Sequence, residues 1–196
     1  MTPSPTPLTF NFHPSAVTVI SPYRLSMVQA GCAFSCAIVV IFFAVAAYRK
    51  LSAGGYSVSL NDISFGPIVF GLLVGYGVAL AVHVAEALLA LITFSFDAPW
   101  LWIAISCAFI LGRVLAQAAA GAAVWLAAKE NRLGHVMLAA LATLVLDLSL
   151  SLFSTPSRYL SLYFFCLLFA KELLIPAIFI GARLAQIFSS PKTQPA

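Results

Sequence analysis

Long apolar segments separated by short polar connections make up most of the chain. A lead of residues 1–24, rich in Pro and Thr, precedes the first of them. A hydrocarbon core of ~30 Å requires about 20 helical residues, and each segment approaches or exceeds that length. Strands of a membrane barrel would alternate in polarity over about ten residues, a pattern that the segments lack. We therefore predict an all-α integral membrane protein, a bundle of five transmembrane helices over residues 25–48, 68–92, 100–127, 135–153 and 160–187.

Composition supports a membrane location and argues against a soluble one. Hydrophobic residues make up 62% of the chain and charged residues 8%, whereas a soluble domain carries about 25% charged residues. The net charge is +4, but the basic residues are spread along the helix ends, so we do not expect a nucleic-acid partner. The expected environment is the lipid bilayer, with the chain as a multi-pass membrane protein.

The lysines and arginines are distributed unequally between the two predicted sides of the membrane. Arg24 and Arg158 lie on the side of the N-terminus. Cytoplasmic connections carry the excess of basic residues, so the N-terminus is expected outside and the tail of residues 188–196 in the cytoplasm. The rings of Tyr48 and Trp125 would then lie at the inner headgroup level. The basic residues of the predicted cytoplasmic side are Arg49, Lys50, Lys129, Arg132, Arg183 and Lys192.

Several strongly polar side chains interrupt the apolar segments, although a charge in a lipid core costs at least ~2.5 to 3.5 kcal/mol. Counted from the segment centres at ~1.5 Å per residue, they fall in one layer just outside the midplane. The first segment lacks such residues and is expected at the periphery. Charges at one depth can satisfy one another, so this layer is the candidate site. Its members are His83, Glu86, Arg113, Asp147, Lys171 and Glu172. Gln117 lies on the same stripe of the third segment as Arg113 and is included in the candidate site.

Helical spacing places further polar residues on the same faces as the charged ones. Tyr76 lies seven residues before His83, and Thr143 lies four residues before Asp147. Each pair therefore shares one stripe of its helix. Polar stripes of this kind face protein or water rather than lipid.

Two glycines and one proline predict features of helix packing. Gly71 and Gly75 form a Gly-x-x-x-Gly pair, which favours close contact between membrane helices, although glycine is also simply common there. Pro176 lies inside the fifth segment, where a proline kinks the helix and frees the carbonyl four residues earlier, that of Glu172. An exposed carbonyl beside the charged residues would favour a small hydrated pocket.

Three functions are compatible with the polar layer. In the first, it binds or transports a small solute or protons, with His83 and Glu86 as a proton relay and Arg113 holding an anionic group. In the second, the charges are ion pairs, and the chain is a structural or accessory subunit of a membrane complex. In the third, Asp147 or Glu86 is the acid of an intramembrane enzyme with a lipid-like substrate.

Motifs for metals, cofactors and common hydrolytic chemistry are missing from the sequence. His83 and Glu86 do not form a His-Glu-x-x-His zinc motif, and the other histidines, His13 and His135, lie at other depths. A haem held by two histidines and a di-metal carboxylate site are therefore not expected. No phosphate-binding glycine loop or Gly-x-Ser-x-Gly turn occurs. We predict no metal and no cofactor, and enzyme activity is the less favoured interpretation.

Overall fold

The computed structural model describes residues 22–54, 62–93, 99–154 and 168–189, and these ranges contain helices and no strand. The prediction of an all-α membrane protein is confirmed. The bounds of the helices are α1 Pro22–Ala53, α2 Phe65–Thr93, α3 Pro99–Ala127, α4 Arg132–Ser154 and α5 Ala177–Ser189.

Four of the helices in these ranges are long and apolar enough to cross a membrane, through Gly31–Ala53, Phe65–Leu89, Cys107–Ala127 and Arg132–Phe153. They correspond to the first four predicted segments. Residues 160–167 of the predicted fifth segment lie outside the described residues. Its remainder is a short helical stretch, residues 168–172, followed by a turn and by α5.

Helix α3 is the centre of the bundle. It packs against α1, α2, α4 and α5, and 44% of its spanning segment is buried, compared with 11% for α2. The helices around it therefore expose wide apolar faces, such as Leu73 and Leu80 on α2 and Phe42 on α1. A membrane protein presents such faces to lipid.

Glycines allow α3 to approach two neighbouring helices closely. A Cβ atom added to Gly71 would meet the side chain of Val124, and one added to Gly75 would lie 2.9 Å from the Cβ of Ala120. The Gly71–Gly75 face of α2 thus lies directly on α3. A tighter crossing joins α3 to α5, where Gly121 lies against the Ile178 carbonyl and Gly181 against the Ala118 carbonyl.

The turn of residues 173–176 interrupts the helix before α5, at Pro176. The N–H groups of Leu174 and Ile175 donate to the carbonyls three residues earlier, those of Lys171 and Glu172, at 3.1 and 3.0 Å. The backbone therefore tightens into 3₁₀-type bonding around the proline. The Glu172 carbonyl, which the sequence predicted to be free, accepts the Ile175 N–H instead, because the tighter turn supplies a donor that an α-helix would lack.

At one end of the bundle, the first turn of α4 contacts the residues that immediately precede α2. His135 is buried, and its Nε2 accepts the backbone N–H of Ser64 at 3.0 Å. Its Nδ1 lies 3.0 Å from the Asn131 carbonyl, the partner for an Nδ1 proton. Asn131 has a left-handed backbone with φ 43°, which asparagine tolerates better than most residues.

Trp125 lies in the same region, and its position differs from the predicted ring at the headgroup level. Its side chain is completely buried, and the guanidinium carbon of Arg132 lies 5.6 Å from the ring centroid. The indole is thus part of the protein core rather than a contact with the membrane interface. Its place along α3 could be read from the sequence, but the face of α3 on which it lies could not.

Candidate functional site

A cavity of about 400 Å³ lies between α2, α3 and α4. Its polar lining comprises Tyr76, His83, Arg113, Gln117, Thr143, Asp147 and Ser151. Alanines and Gly75 form much of the remaining wall, since small residues leave space between helices. Leu80 and Leu150 also line it and are 67% and 59% exposed, so the cavity reaches the outer surface of the bundle between α2 and α4.

Asp147 joins three helices at the polar side of this cavity. The Tyr76 hydroxyl donates a hydrogen bond of 2.7 Å to its Oδ1, and Arg113 Nη1 donates one of 3.1 Å to its Oδ2. The Arg113–Asp147 contact is also an ion pair, in which the side chains are 23% and 9% exposed. Both carboxylate oxygens thus accept from charged or strongly polar donors, and such bonds are stronger than those between neutral groups.

Phe109 lies among the three basic residues of the predicted layer. The ammonium of Lys171 lies 5.4 Å from its ring centroid and the guanidinium carbon of Arg113 lies 5.9 Å from it. The His83 ring meets its edge, with centroids 5.2 Å apart. Cations within about 6 Å of a ring face are attracted by its quadrupole. Phe109 thereby holds Arg113 and Lys171 near each other despite their like charge.

The two remaining acids extend the group beyond the cavity. Glu86 interacts electrostatically with His83 and Lys171. Glu172 interacts with Asp147, Arg113 and Lys171. All the charged residues predicted to share one layer, together with Tyr76 and Phe109, therefore form one connected set, hereafter the polar cluster.

Some polar atoms of the cluster and of the cavity wall are buried without a hydrogen-bond partner among the described residues. These are Arg113 Nε, Gln117 Oε1 and Glu172 Oε2. Gln117 is 9% exposed and lies one helical turn after Arg113, on the cavity wall. Unpartnered buried groups are uncommon in folded proteins, and each calls for an explanation such as water, an ion or a ligand.

Direct polar contact is more restricted than the sequence predicted. Arg113 and Tyr76 each donate a hydrogen bond to Asp147, whereas His83 Nδ1 lies 2.7 Å from the Ala79 carbonyl of its own helix. Lys171 makes no direct ion pair within the described part of the chain. His83 and Lys171 both contact the Phe109 ring. Their interactions with the acids are electrostatic and act over longer distances.

Phe109 was not predicted as a site residue. The signal that could have found it is its position four residues before Arg113, which places the two on one face of α3. An apolar residue in an apolar segment carries no signal of its own, however, and the approach of Lys171 from another helix is a tertiary contact. In the described ranges, no group of three histidine, cysteine, aspartate or glutamate side chains is arranged to hold a metal ion.

Comparison with known proteins adds no assignment. No protein-family model matches the chain, and no curated protein or solved structure does. The polar cluster and its cavity are therefore the basis for a functional proposal.

Proposed function

We propose that this multispan membrane protein binds a small solute in the cavity between α2, α3 and α4, as a step in its transport. The observation that carries the proposal is a cavity of about 400 Å³ at the polar cluster. Pockets for small ligands have typical volumes of about 300–1,000 Å³ and combine apolar walls with a few polar groups. A helical bundle that needed only ion pairs for stability would gain more by filling this space.

The charges of the cavity favour a solute with an uncharged polar group. Arg113 is already neutralised by Asp147 at 3.1 Å, so an anion would have to compete with a carboxylate fixed by two donors. A hydroxyl, amide or carbonyl group requires no such exchange. The exposed Leu80 and Leu150 at the rim suit an apolar part of the solute and entry from the lipid.

The second candidate is a structural role for the charges, and the Arg113–Asp147–Tyr76 bonds favour it. These bonds connect α2, α3 and α4, as a subunit pinned by ion pairs would require. Buried ion pairs are nevertheless weak evidence for stabilisation, because desolvation offsets their attraction. A structural role also leaves the cavity and the buried Gln117 oxygen unexplained.

Filling the cavity tests the proposal. Ala79 lines the cavity, whereas Ala81 lies two residues later on the exposed face of the same helix. We expect Ala79→Leu to displace a bound molecule and Ala81→Leu to retain it. Gently purified wild type and both variants would be extracted, and the retained small molecules compared by mass spectrometry.

We expect a small molecule that is enriched at least tenfold in wild type and Ala81→Leu over Ala79→Leu. A tenfold difference corresponds to about 1.4 kcal/mol of binding free energy. Equal amounts in all three proteins would mean that the molecules bind only the outer surface. In that case, or if the wild type retains nothing beyond bulk lipid, the solute proposal is wrong and the structural role is favoured.

A further inference from the structure

The polar cluster contains more acidic side chains than arginine and lysine side chains. Its described members include Glu86, Asp147 and Glu172 but only Arg113 and Lys171 as cations. If every acid were ionised and His83 neutral, the cluster would carry one net negative charge. A net charge at this depth is costly, and one bound proton removes it.

Asp147 is the acid least suited to hold that proton. One of its oxygens accepts from the Tyr76 hydroxyl and the other from the Arg113 guanidinium, at 2.7 and 3.1 Å. A proton on either oxygen would compete with a donor that is already there. Both oxygens of Asp147 are therefore already occupied by donors from α2 and α3.

Glu86 differs from Glu172 in the charged groups around it. The charged or titratable groups that act on it are His83 and Lys171, neither of which is an acid. The carboxylate is half-buried on α2, next to exposed positions of that helix. Glu86 therefore lacks the repulsion from a second ionised acid that would favour a bound proton.

Glu172 differs from both in its surroundings. It interacts with another acid, Asp147, and it shares Arg113 and Lys171 with that acid. Its Oε2 is buried and has no hydrogen-bond partner among the described residues. An ionised oxygen buried without a donor costs far more than a neutral one, so this site favours a carboxylic acid.

We propose that Glu172 is a proton-binding site, and that the proton it holds at neutral pH is the ligand that balances the charge of the polar cluster. The proposal goes beyond solute binding and does not rest on it. Glu172 immediately precedes the turn that contains Pro176, where the backbone departs from regular helix.

The groups that face Glu172 come from each neighbouring element. Tyr76 belongs to α2, Arg113 to α3 and Asp147 to α4, and Lys171 precedes it in the chain. From α1, which packs on the same segment, the titratable side chains are the thiols of Cys32 and Cys36. Residues 31–48 of α1 contain no charged side chain, so α1 supplies no further counter-charge for Glu172.

The test uses the small number of glutamates in the chain, which are Glu86, Glu130 and Glu172. Full-length protein labelled with ¹³C at the glutamate carboxyl carbon would give three NMR signals, whose chemical shifts distinguish carboxylic acid from carboxylate. The variants Glu86→Gln, Glu130→Gln and Glu172→Gln assign the signals. Glu130 lies exposed between α3 and α4 and is the solvent-exposed comparison for the two glutamates of the polar cluster.

At neutral pH we expect the Glu172 signal at the carboxylic-acid position and the Glu86 and Glu130 signals at the carboxylate position. If Glu172→Gln does not fold, Glu86→Gln and Glu130→Gln assign the Glu172 signal by elimination in a chain that keeps Glu172. A Glu172 signal at the carboxylate position at neutral pH would overturn the proposal, whether or not a solute binds. An acid signal that belongs to Glu86 would overturn it as well.

Discussion

At the scale of single residues, Asp147 has the largest number of strong contacts in the polar cluster. It accepts from α2 and from α3 while it belongs to α4. Its loss would leave the Arg113 guanidinium partly buried without a counter-charge, and an uncompensated buried charge is more costly than the pair itself is stabilising. The effects of substituting Asp147 and Arg113 on stability should therefore not be additive.

We predict that Asp147→Asn lowers the free energy of unfolding by about 3–5 kcal/mol, the usual cost of removing one partner of a buried ion pair. The double variant Arg113→Gln/Asp147→Asn should recover much of this loss, because no unpaired charge remains. Thermal unfolding of the purified variants, followed by circular dichroism, measures both effects.

Tyr76→Phe is the matched control, because it removes one hydroxyl donor and leaves the ion pair. We expect it to cost about 1.5–3 kcal/mol, as for other hydrogen bonds to charged groups. If Asp147→Asn melts at the wild-type temperature, or if the double variant is no more stable than the single one, the Arg113–Asp147 pair does not form.

Residue depth could be predicted from the sequence, but side-chain direction could not. Counting from segment centres predicted Arg113 and Asp147 at similar depths, and the structure joins them at 3.1 Å. The same count gave no hint that His83 contacts a carbonyl of its own helix or that Phe109 lies between Arg113 and Lys171. Those contacts depend on helix rotation and on rotamers, which packing determines.

At the scale of helices, the crossing of α3 and α5 is tighter than any other glycine contact described. The backbone carbonyls of Ile178 and Ala118 occupy the positions that Cβ atoms would take at Gly121 and Gly181. A backbone cannot rotate away as a side chain can, so these positions admit glycine alone without movement of a helix. At Gly71 and Gly75 on α2, the atom nearest to an added Cβ belongs to the side chain of Val124 or Ala120, and these contacts are less close.

We predict that Gly121→Ala and Gly181→Ala each destabilise the protein by about 1–3 kcal/mol or more, the usual cost of overpacking. Gly77→Ala, on α2, is the control, since nothing lies within 4 Å of its added Cβ. Alanine favours a helix over glycine by roughly 0.5–1 kcal/mol, so the control should be neutral or slightly stabilising. Thermal unfolding compares the three variants, and equal stability of all three would refute the close crossing.

The sequence predicted the Gly71–Gly75 contact but not the pairing of Gly121 with Gly181. Gly71 and Gly75 form a recognised spacing on one helix, whereas Gly121 and Gly181 lie singly on two helices 60 residues apart. Pro176 is a second example of a contact that the sequence alone could not predict. A proline marks where a helix is interrupted, but the new donor for the Glu172 carbonyl depends on the turn that replaces it.

At the scale of the whole molecule, five of the ten lysines and arginines collect at one end of the bundle. One cluster of buried hydrophobic residues at that end includes a residue from each of the five helices. These residues are Leu51 near the end of α1, Ile68 near the start of α2, Trp125 near the end of α3, Leu133 of α4 and Ala185 of α5. Arg49, Lys50, Lys129, Arg132 and Arg183 lie near these residues in sequence. The alternation of segments was enough to predict this grouping, because consecutive spanning helices must be antiparallel.

The side of the membrane on which this end lies is a prediction from the positive-inside rule. We expect single cysteines at Ser57 and Glu130, in a variant whose four native cysteines are replaced by alanine, to be protected in intact cells from a membrane-impermeant maleimide. Permeabilised cells should label both. A cysteine at Asp97, between the second and third predicted segments, is the opposite control and should be labelled in intact cells. If Ser57→Cys and Glu130→Cys were labelled from outside and Asp97→Cys were protected, the orientation would be the reverse of the predicted one, with the bundle unchanged. If only one of Ser57→Cys and Glu130→Cys were labelled in intact cells, the two positions would not lie at the same end of the bundle.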